Sequence, residues 1–340
     1  MAIAPGNRVL TTTQDKIMAS VVDTILNSNV AATRFLSAAK QWKGETLKFP
    51  IKVSKNTNGT SFSGGDTFST SAVDTRQLMS YNASFYEIPC TVLLTELAVN
   101  QTEQKVLDLM EIELASTAQD AADDVGTMFY SDGTGNSSKD FLGLSALVDD
   151  GTVASTIGGL SRSTYTTLQS TVTASSGTLS LAKMRTLLNA VKSGAQKPTI
   201  GLTTETVFGL YEQLLQPQER IAKDVSMMKG KMVGGTGYDG LFFEGFPILQ
   251  DEKCTSGVLF FLNEDFLDFY ALPMPKTNPM KYKSSIEGND YSDVMGLGFS
   301  WSDWIKPINQ AALVSHIYLG GQLITQNPKR HGKLTGITGV

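Results

Sequence analysis

The sequence predicts an α+β protein, and three observations carry that expectation. The apolar period switches from helical to alternating at Leu47. One helical pattern runs unbroken from Glu103 to Tyr130, and several short apolar runs in the second half read as strands.

Before Leu47, residues 14–40 read as helix. Ile17, Val21, Ile25 and then Ala32, Phe35 and Leu36 recur at helical spacing, with a break at Asn27-Ser28-Asn29 and a stop at Gly44. Leu47, Phe49, Ile51 and Val53 then alternate with Lys48, Pro50, Lys52 and Ser54, and Pro50 places that strand at an exposed edge. Ser54–Ala72 holds only Phe62 and Phe68 as large apolar residues and reads as a flexible Gly/Ser/Thr tip. Alternation resumes at Tyr81, Ala83 and Phe85 and thickens over Ile88–Leu94. The two strands and their tip make a projecting hairpin, which needs a partner surface because an isolated two-stranded ribbon is marginal in water.

Asn100 and Glu103 give a helix-start signature. Val106, Met110, Leu114, Ala118, Ala121, Val125 and Met128 share one face, so the helix is expected to be about 40 Å long and to span a flat subunit. Asp132-Gly-Thr-Gly-Asn136 stops it. Residues 150–178 are Ser/Thr/Gly-rich and weakly patterned. Ser180 caps a helix closed by Gly194, a strand at Thr199–Leu202 follows, and a helix at Glu205–Leu215 ends before Pro217. Residues 223–240 read as a loop, followed by strands at Leu241–Leu249, Val258–Leu262 and Phe266–Leu272. Ala311–Gln326 is a strand pair or one long bent strand, and the tail from Pro328 is polar and basic.

The composition excludes several functions. The 340 residues suffice for two or three domains or one elaborated fold, and 41% hydrophobic against 18% charged supports a core. A net charge of −5, from 28 basic and 33 acidic residues, excludes a protein whose main task is gripping phosphate backbones. No stretch offers the ~20 apolar residues of a membrane span, and Met1–Leu10 lacks a signal-peptide layout, so cytoplasmic synthesis is expected. On that route the N-x-S/T triplets at Asn58, Asn82, Asn100 and Asn136 carry no meaning. Cys90 and Cys254 lie in apolar surroundings and read as buried free thiols.

No catalytic constellation emerges. Gly230-Lys231 and Gly332-Lys333 lack the hydroxyl residue that completes a phosphate loop, and the glycines at 133–135 and 234–237 read as hinges or tips. Of the two histidines, His316 reads as a satisfied core or interface residue and His331 as part of the basic tail. Ser37/Lys40, Ser180/Lys183 and Ser226/Lys229 are Ser-x-x-Lys pairs without their companion elements. Asp120, Asp123 and Asp124 share a helix face that reads as solvated rather than cation-binding. Trp301 and Trp304 suit packing as well as ligand stacking. The sequence therefore offers no catalytic, cofactor-binding or metal-ligating residues, and no cofactor is expected.

The order of elements resembles the major capsid proteins of tailed bacteriophages, with the Hong Kong 97-type fold. The resemblance rests on the arm, the Leu47–Val92 hairpin, the Glu103–Tyr130 helix, Phe243–Leu249, Gly257–Asn263 and the closing strand Ala311–Leu323. It implies an N-terminal arm at 1–46, an E-loop at 47–92 and a P-domain at 93–140 with a spine helix at 101–131. It further implies an axial A-domain at 141–275, with 276–340 completing the P-domain and ending in the tail. The implied function is self-assembly through pentamers and hexamers into an icosahedral shell around double-stranded DNA in the host cytoplasm, with a portal as a further partner, the presence of a decoration protein left open, and no membrane. An encapsulin-like compartment, a Ser/Thr-rich virion surface module and a hydrolase using Asp or Ser are the rival readings. Only 46 residues precede the first hairpin strand and Met1 opens the chain, so a separate scaffolding protein is expected. Some members of the family join subunits through an isopeptide bond from an E-loop lysine. Lys52 and Lys55 are the available donors and Asn263 or Asn309 the acceptors, but no carboxylate reads as placed to activate them, so no cross-link is expected.

Overall fold

The computed structural model describes residues 29–100, 109–174, 176–215, 241–272, 300–302 and 304–340. The first helix, α1 (Val30–Ser37), starts where the Asn29 side chain accepts from the Ala32 amide. The helix was expected to reach Lys40. Instead, Lys40–Gln41 form strand β1, and the expected portion at 14–28 lies outside the described residues.

Strands β2 (Thr46–Lys52) and β3 (Arg76–Asn82) pair antiparallel, Leu47 opposite Tyr81 and Lys52 opposite Arg76. The expected second hairpin strand, Tyr81 to Leu94, is in fact two strands. The chain breaks at Ala83, and β4 (Ser84–Leu93) leaves the hairpin to pair with β15 (Ala312–Thr325) over ten residue pairs. Alternation continues in phase through the break, and period alone cannot report a change of partner. Among the described strands β4 pairs with β15 alone, an edge position that suits Pro89.

Helix α2 (Leu94–Asn100) follows, then α3 (Leu109–Tyr130), about 33 Å of long helix at 1.5 Å per residue. Its expected start at Glu103 lies outside the described residues. Ala121, Val125 and Phe129 are fully buried, and the Phe129 ring lies 6.0 Å from Phe35 of α1 and 5.5 Å from Phe269. Gly126 costs the helix about 1 kcal/mol relative to alanine. A Cβ there would lie 1.7 Å from the Asn29 amide nitrogen, so glycine is what lets the start of α1 approach α3.

Next come a small hairpin of β5 (Thr156–Ile157) and β6 (Leu160–Ser161), then β7 (Thr171–Thr173) and β8 (Gly177–Thr178). Ser180 caps α4 (Leu181–Val191) as expected, its hydroxyl accepting from the Lys183 amide. Strand β9 (Ile200–Thr203) leads to α5 (Glu205–Leu215), also as expected. The expected strand Leu241–Leu249 is a tight hairpin, β10 (Leu241–Phe243) and β11 (Phe246–Gln250), turned by Glu244 and Gly245 at φ 48° and 88°. After β12 (Leu259–Leu262), β13 (Leu267–Ala271) and β14 (Ser300–Trp301), β15 is a single 14-residue strand.

The strands build two main sheets. The first runs β1-β13-β15-β14, with β4 along β15; the second runs β10-β11-β9-β12-β16-β7, where β16 is Gly332–Leu334. The second sheet lies between two cores. Phe260 and Leu262 of β12 face α1, α3 and the first sheet, while Leu259 and Phe261 face α4 and α5. Burial on both faces makes β12 a continuous apolar run. The residues beyond Pro328 are therefore no polar, basic tail. Strand β16 sits between β12 and β7, and β17 (Ile337–Gly339) pairs with β8. Lys333, read as a tail cation, is 4% exposed.

Candidate assembly surfaces

The hairpin divides into a base packed against the rest of the chain and a tip that stands exposed among the described residues. On the inner face Met79 and Tyr81 are buried and Leu47, Phe49 and Ile51 partly so. The Ser80 amide donates to the Gly158 carbonyl at 2.9 Å and the Tyr81 hydroxyl to the Thr325 carbonyl at 3.0 Å. Burial pushes the Tyr81 phenol up from its ordinary pKa, so it stays a donor. Beyond Val53 every residue from Ser54 to Asp74 is exposed except half-buried Asn58, whose amide donates to the Ser71 carbonyl across the loop. At the far end Phe62 and Phe68 meet edge-on, centroids 5.1 Å apart, yet remain 67% and 63% exposed. The outer face of β3 adds Leu78, also half exposed.

At the hairpin's foot lies an open groove of about 670 Å³. The β3–β4 junction, the 132–142 segment and the β5–β6 hairpin form its walls. Phe85 projects into it 54% exposed, and Lys139 and Asp140 stand on one wall. The rim above them is a turn in which Asn136, Ser137 and Ser138 all adopt left-handed backbone, at φ 48°, 61° and 62°. Such a conformation costs about 1–2 kcal/mol for each residue bearing a side chain.

Buried polar groups tie the second sheet to the elements around it. Asp149, Arg162 and Lys333 come together with 1%, 0% and 4% exposure, the carboxylate 3.2 Å from the Arg162 guanidinium. Burial favours the neutral acid, but the amides of Gly151, Val153 and Ala154 outweigh it and hold the Asp149 pKa below the ordinary value. Burial lowers the pKa of both Arg162 and Lys333, and Asp149 opposes it. Asp251 accepts from the Ala31 amide at 2.8 Å and the Tyr130 hydroxyl at 3.0 Å, joining α1, α3 and the second sheet. His331, fully buried, accepts from the Asn263 amide through Nδ1, so Nε2 carries the proton and donates to Thr325 Oγ1. Burial lowers its pKa to about 3.

The structure scatters the residues that sequence reasoning weighed for chemistry. Asp123 pairs with Lys253 at 2.8 Å and Asp124 accepts from Tyr86, so protein groups engage two of the three acids on that helix face. Among the described residues no cluster of three or more His, Cys, Asp or Glu has metal-site geometry. Ser37 donates to the Arg34 carbonyl while Lys40 pairs with Asp268; Ser226, Lys229 and Gly230 lie outside the described residues. His316 is not a core residue: it lies partly exposed on the first sheet, 2.6 Å from Glu87, and stacks on Tyr318. Trp304 is half-buried, whereas Cys90 and Cys254 are buried free thiols as expected. Lys52 and Lys55 are exposed on the hairpin, and Asn263 is buried with its side chain bonded to Gln196 and the Asp265 amide. Asn309, the other acceptor considered, is exposed. No helix of the described residues is long and apolar enough to cross a membrane.

No protein-family profile matches the chain, and no curated protein matches it in sequence. Solved structures do match, over nearly the full length. The cyanophage A-1(L) capsid subunit superposes with a TM-score of 0.69 at 16% identity, covering 96% of this chain and 97% of that one. The holo-SrpI encapsulin complex from Synechococcus elongatus PCC 7942 gives 0.59 at 11% identity, over 99% and 96%. The capsid of a native GTA particle gives 0.58 at 10%, over 96% and 94%. The fold is thus that of shell proteins. It is the Hong Kong 97-type capsid fold, in its α+β form.

Proposed function

We propose that this chain is the major capsid protein of a tailed bacteriophage, assembling through pentamers and hexamers into an icosahedral shell around double-stranded DNA. The observation that carries the reading is a capsid fold matched end to end, combined with a hairpin tip whose two rings stand exposed among the described residues. A non-enzymatic role fits the bonds that Ser37, Asp123 and His316 make, each to a different part of the chain. The arm would be 1–46, the E-loop 47–92, the P-domain 93–140 with later residues, and the A-domain 141–275. The net charge of −5 suits an inner surface that contacts DNA weakly. A scaffolding protein supplied in trans and a portal are the further partners of this reading, which leaves open whether a decoration protein is added, with assembly in the host cytoplasm.

The encapsulin match supports a second reading, a protein-filled compartment. Negative-stain imaging and content analysis of nuclease-treated particles separate the outcomes. A phage shell from infected cells holds protected double-stranded DNA, whereas a compartment holds cargo protein. A discrete oligomer of a few subunits would contradict both.

A further inference from the structure

Above the hairpin's base, one side chain clasps the two limbs of the loop. Asn58 donates through Nδ2 to the Ser71 carbonyl at 2.8 Å, and its own backbone amide donates to the Asn56 side chain at 2.9 Å. Reaching across makes Asn58 the one half-buried residue between Ser54 and Asp74. The residue after it is Gly59, and no other asparagine of the 340 residues precedes a glycine. Gly59 is exposed, and a Cβ built on it would meet nothing within 4 Å. Its backbone nitrogen therefore has no side chain to shield it, and it lies in a loop outside helix and strand, where the chain can turn toward the Asn58 carboxamide.

We propose that Asn58 is a site of spontaneous covalent modification, its carboxamide passing through a cyclic imide to a carboxylate that opens the clasp. Asparagine is among the thermally labile residues, and the unshielded Gly59 nitrogen supplies the nucleophile. That nitrogen bonds to Asn58 Cγ and gives up its proton, and the Cγ–Nδ2 bond breaks as ammonia leaves with it. Solvent water then adds to one of the two imide carbonyls. Cleavage at Cγ restores the Gly59 N–H and leaves an aspartate at position 58. Cleavage at the original peptide carbon instead routes the chain through Cγ, as isoaspartate. Either product sets an acceptor-only group against the Ser71 carbonyl, where a donor stood. It also adds a negative charge to a loop that already holds Asp66 and Asp74. The base below stays closed, because the Val53 and Ser54 amides both donate to the Thr75 carbonyl. The inference goes beyond the shell reading and holds for either kind of shell.

Two experiments on the full chain test it. Subunits are aged in mildly alkaline buffer made with heavy-oxygen water, then digested with trypsin in ordinary water. The peptide Asn56–Arg76 is released whole, since no Lys or Arg lies between Lys55 and Arg76. Fragmentation should place the heavy oxygen and the amide-to-acid mass gain at Asn58, with Asn56, which precedes Thr57, unchanged. Gly59→Ala, which the open space accepts, should slow the reaction about tenfold, equivalent to roughly 1.4 kcal/mol on its barrier. Equal rates at Asn56 and Asn58, or in Gly59→Ala and the parent chain, overturn the reaction. In the second experiment Asn58→Asp reproduces the product's charge. Chymotrypsin should cut it at Phe62 or Phe68 about fivefold faster than the parent, as for loss of one hydrogen bond worth about 1 kcal/mol. Cutting at the parent rate overturns the clasp. Neither experiment depends on assembly, so failure of either leaves the shell reading standing.

Discussion

His331 shows how a residue without catalytic work can still set a pH limit. Its ring joins Asn263, at the end of β12, to Thr325, at the end of β15, with no exposure to solvent. Burial lowers its pKa to about 3, while an unfolded histidine titrates near 6.5, so below pH 6.5 the unfolded chain takes up the proton first. Its contribution to stability is whole above pH 6.5. It then falls by up to about 1.4 kcal/mol per pH unit down to pH 3. Urea unfolding of unassembled subunits should show the midpoint dropping between pH 7 and pH 5. His331→Gln, neutral throughout, should start lower at pH 8 and lose much less over the same interval. Equal losses in both proteins would assign the acid sensitivity elsewhere.

At the scale of elements, the hairpin tip separates assembly from folding. Ser54–Asp74 contributes no buried apolar side chain, and the base is pinned independently through Ser80, Tyr81 and Thr167. Deleting residues 56–70 should therefore leave the helical circular dichroism and the thermal midpoint within a few degrees of the full chain, while closed particles disappear. Normal shells from that protein would show the tip to be dispensable. The tip was legible in sequence because its lack of apolar residues is a local property, as were the Ser180 cap and the Glu205–Leu215 helix. The transfer of β4 from the hairpin to β15 was not, because Tyr81, Ala83 and Phe85 keep one phase through it. Nor was the last strand: Gly332-Lys333-Leu334 looks polar until Asp149 and the Ser145 carbonyl are brought to Lys333 from far along the chain. The groove was equally hidden, since its walls come from segments spread between Ser80 and Gln322.

Across the whole molecule, the two sheets and the long helix form one continuous body. Phe129 packs on α1 and the first sheet, β12 carries a core on each face, and Asp251 and His331 bridge the parts with buried polar contacts. A packed body with the hairpin projecting from it suits repetition in the proposed shell, where the tip would reach a neighbour. The most direct test is a three-dimensional reconstruction of the assembled particle at a resolution that traces the hairpin. It should show pentameric and hexameric rings of this chain, with Ser54–Asp74 of each subunit lying on the adjacent one. A small closed oligomer, or a tip packed against its own subunit, would contradict it.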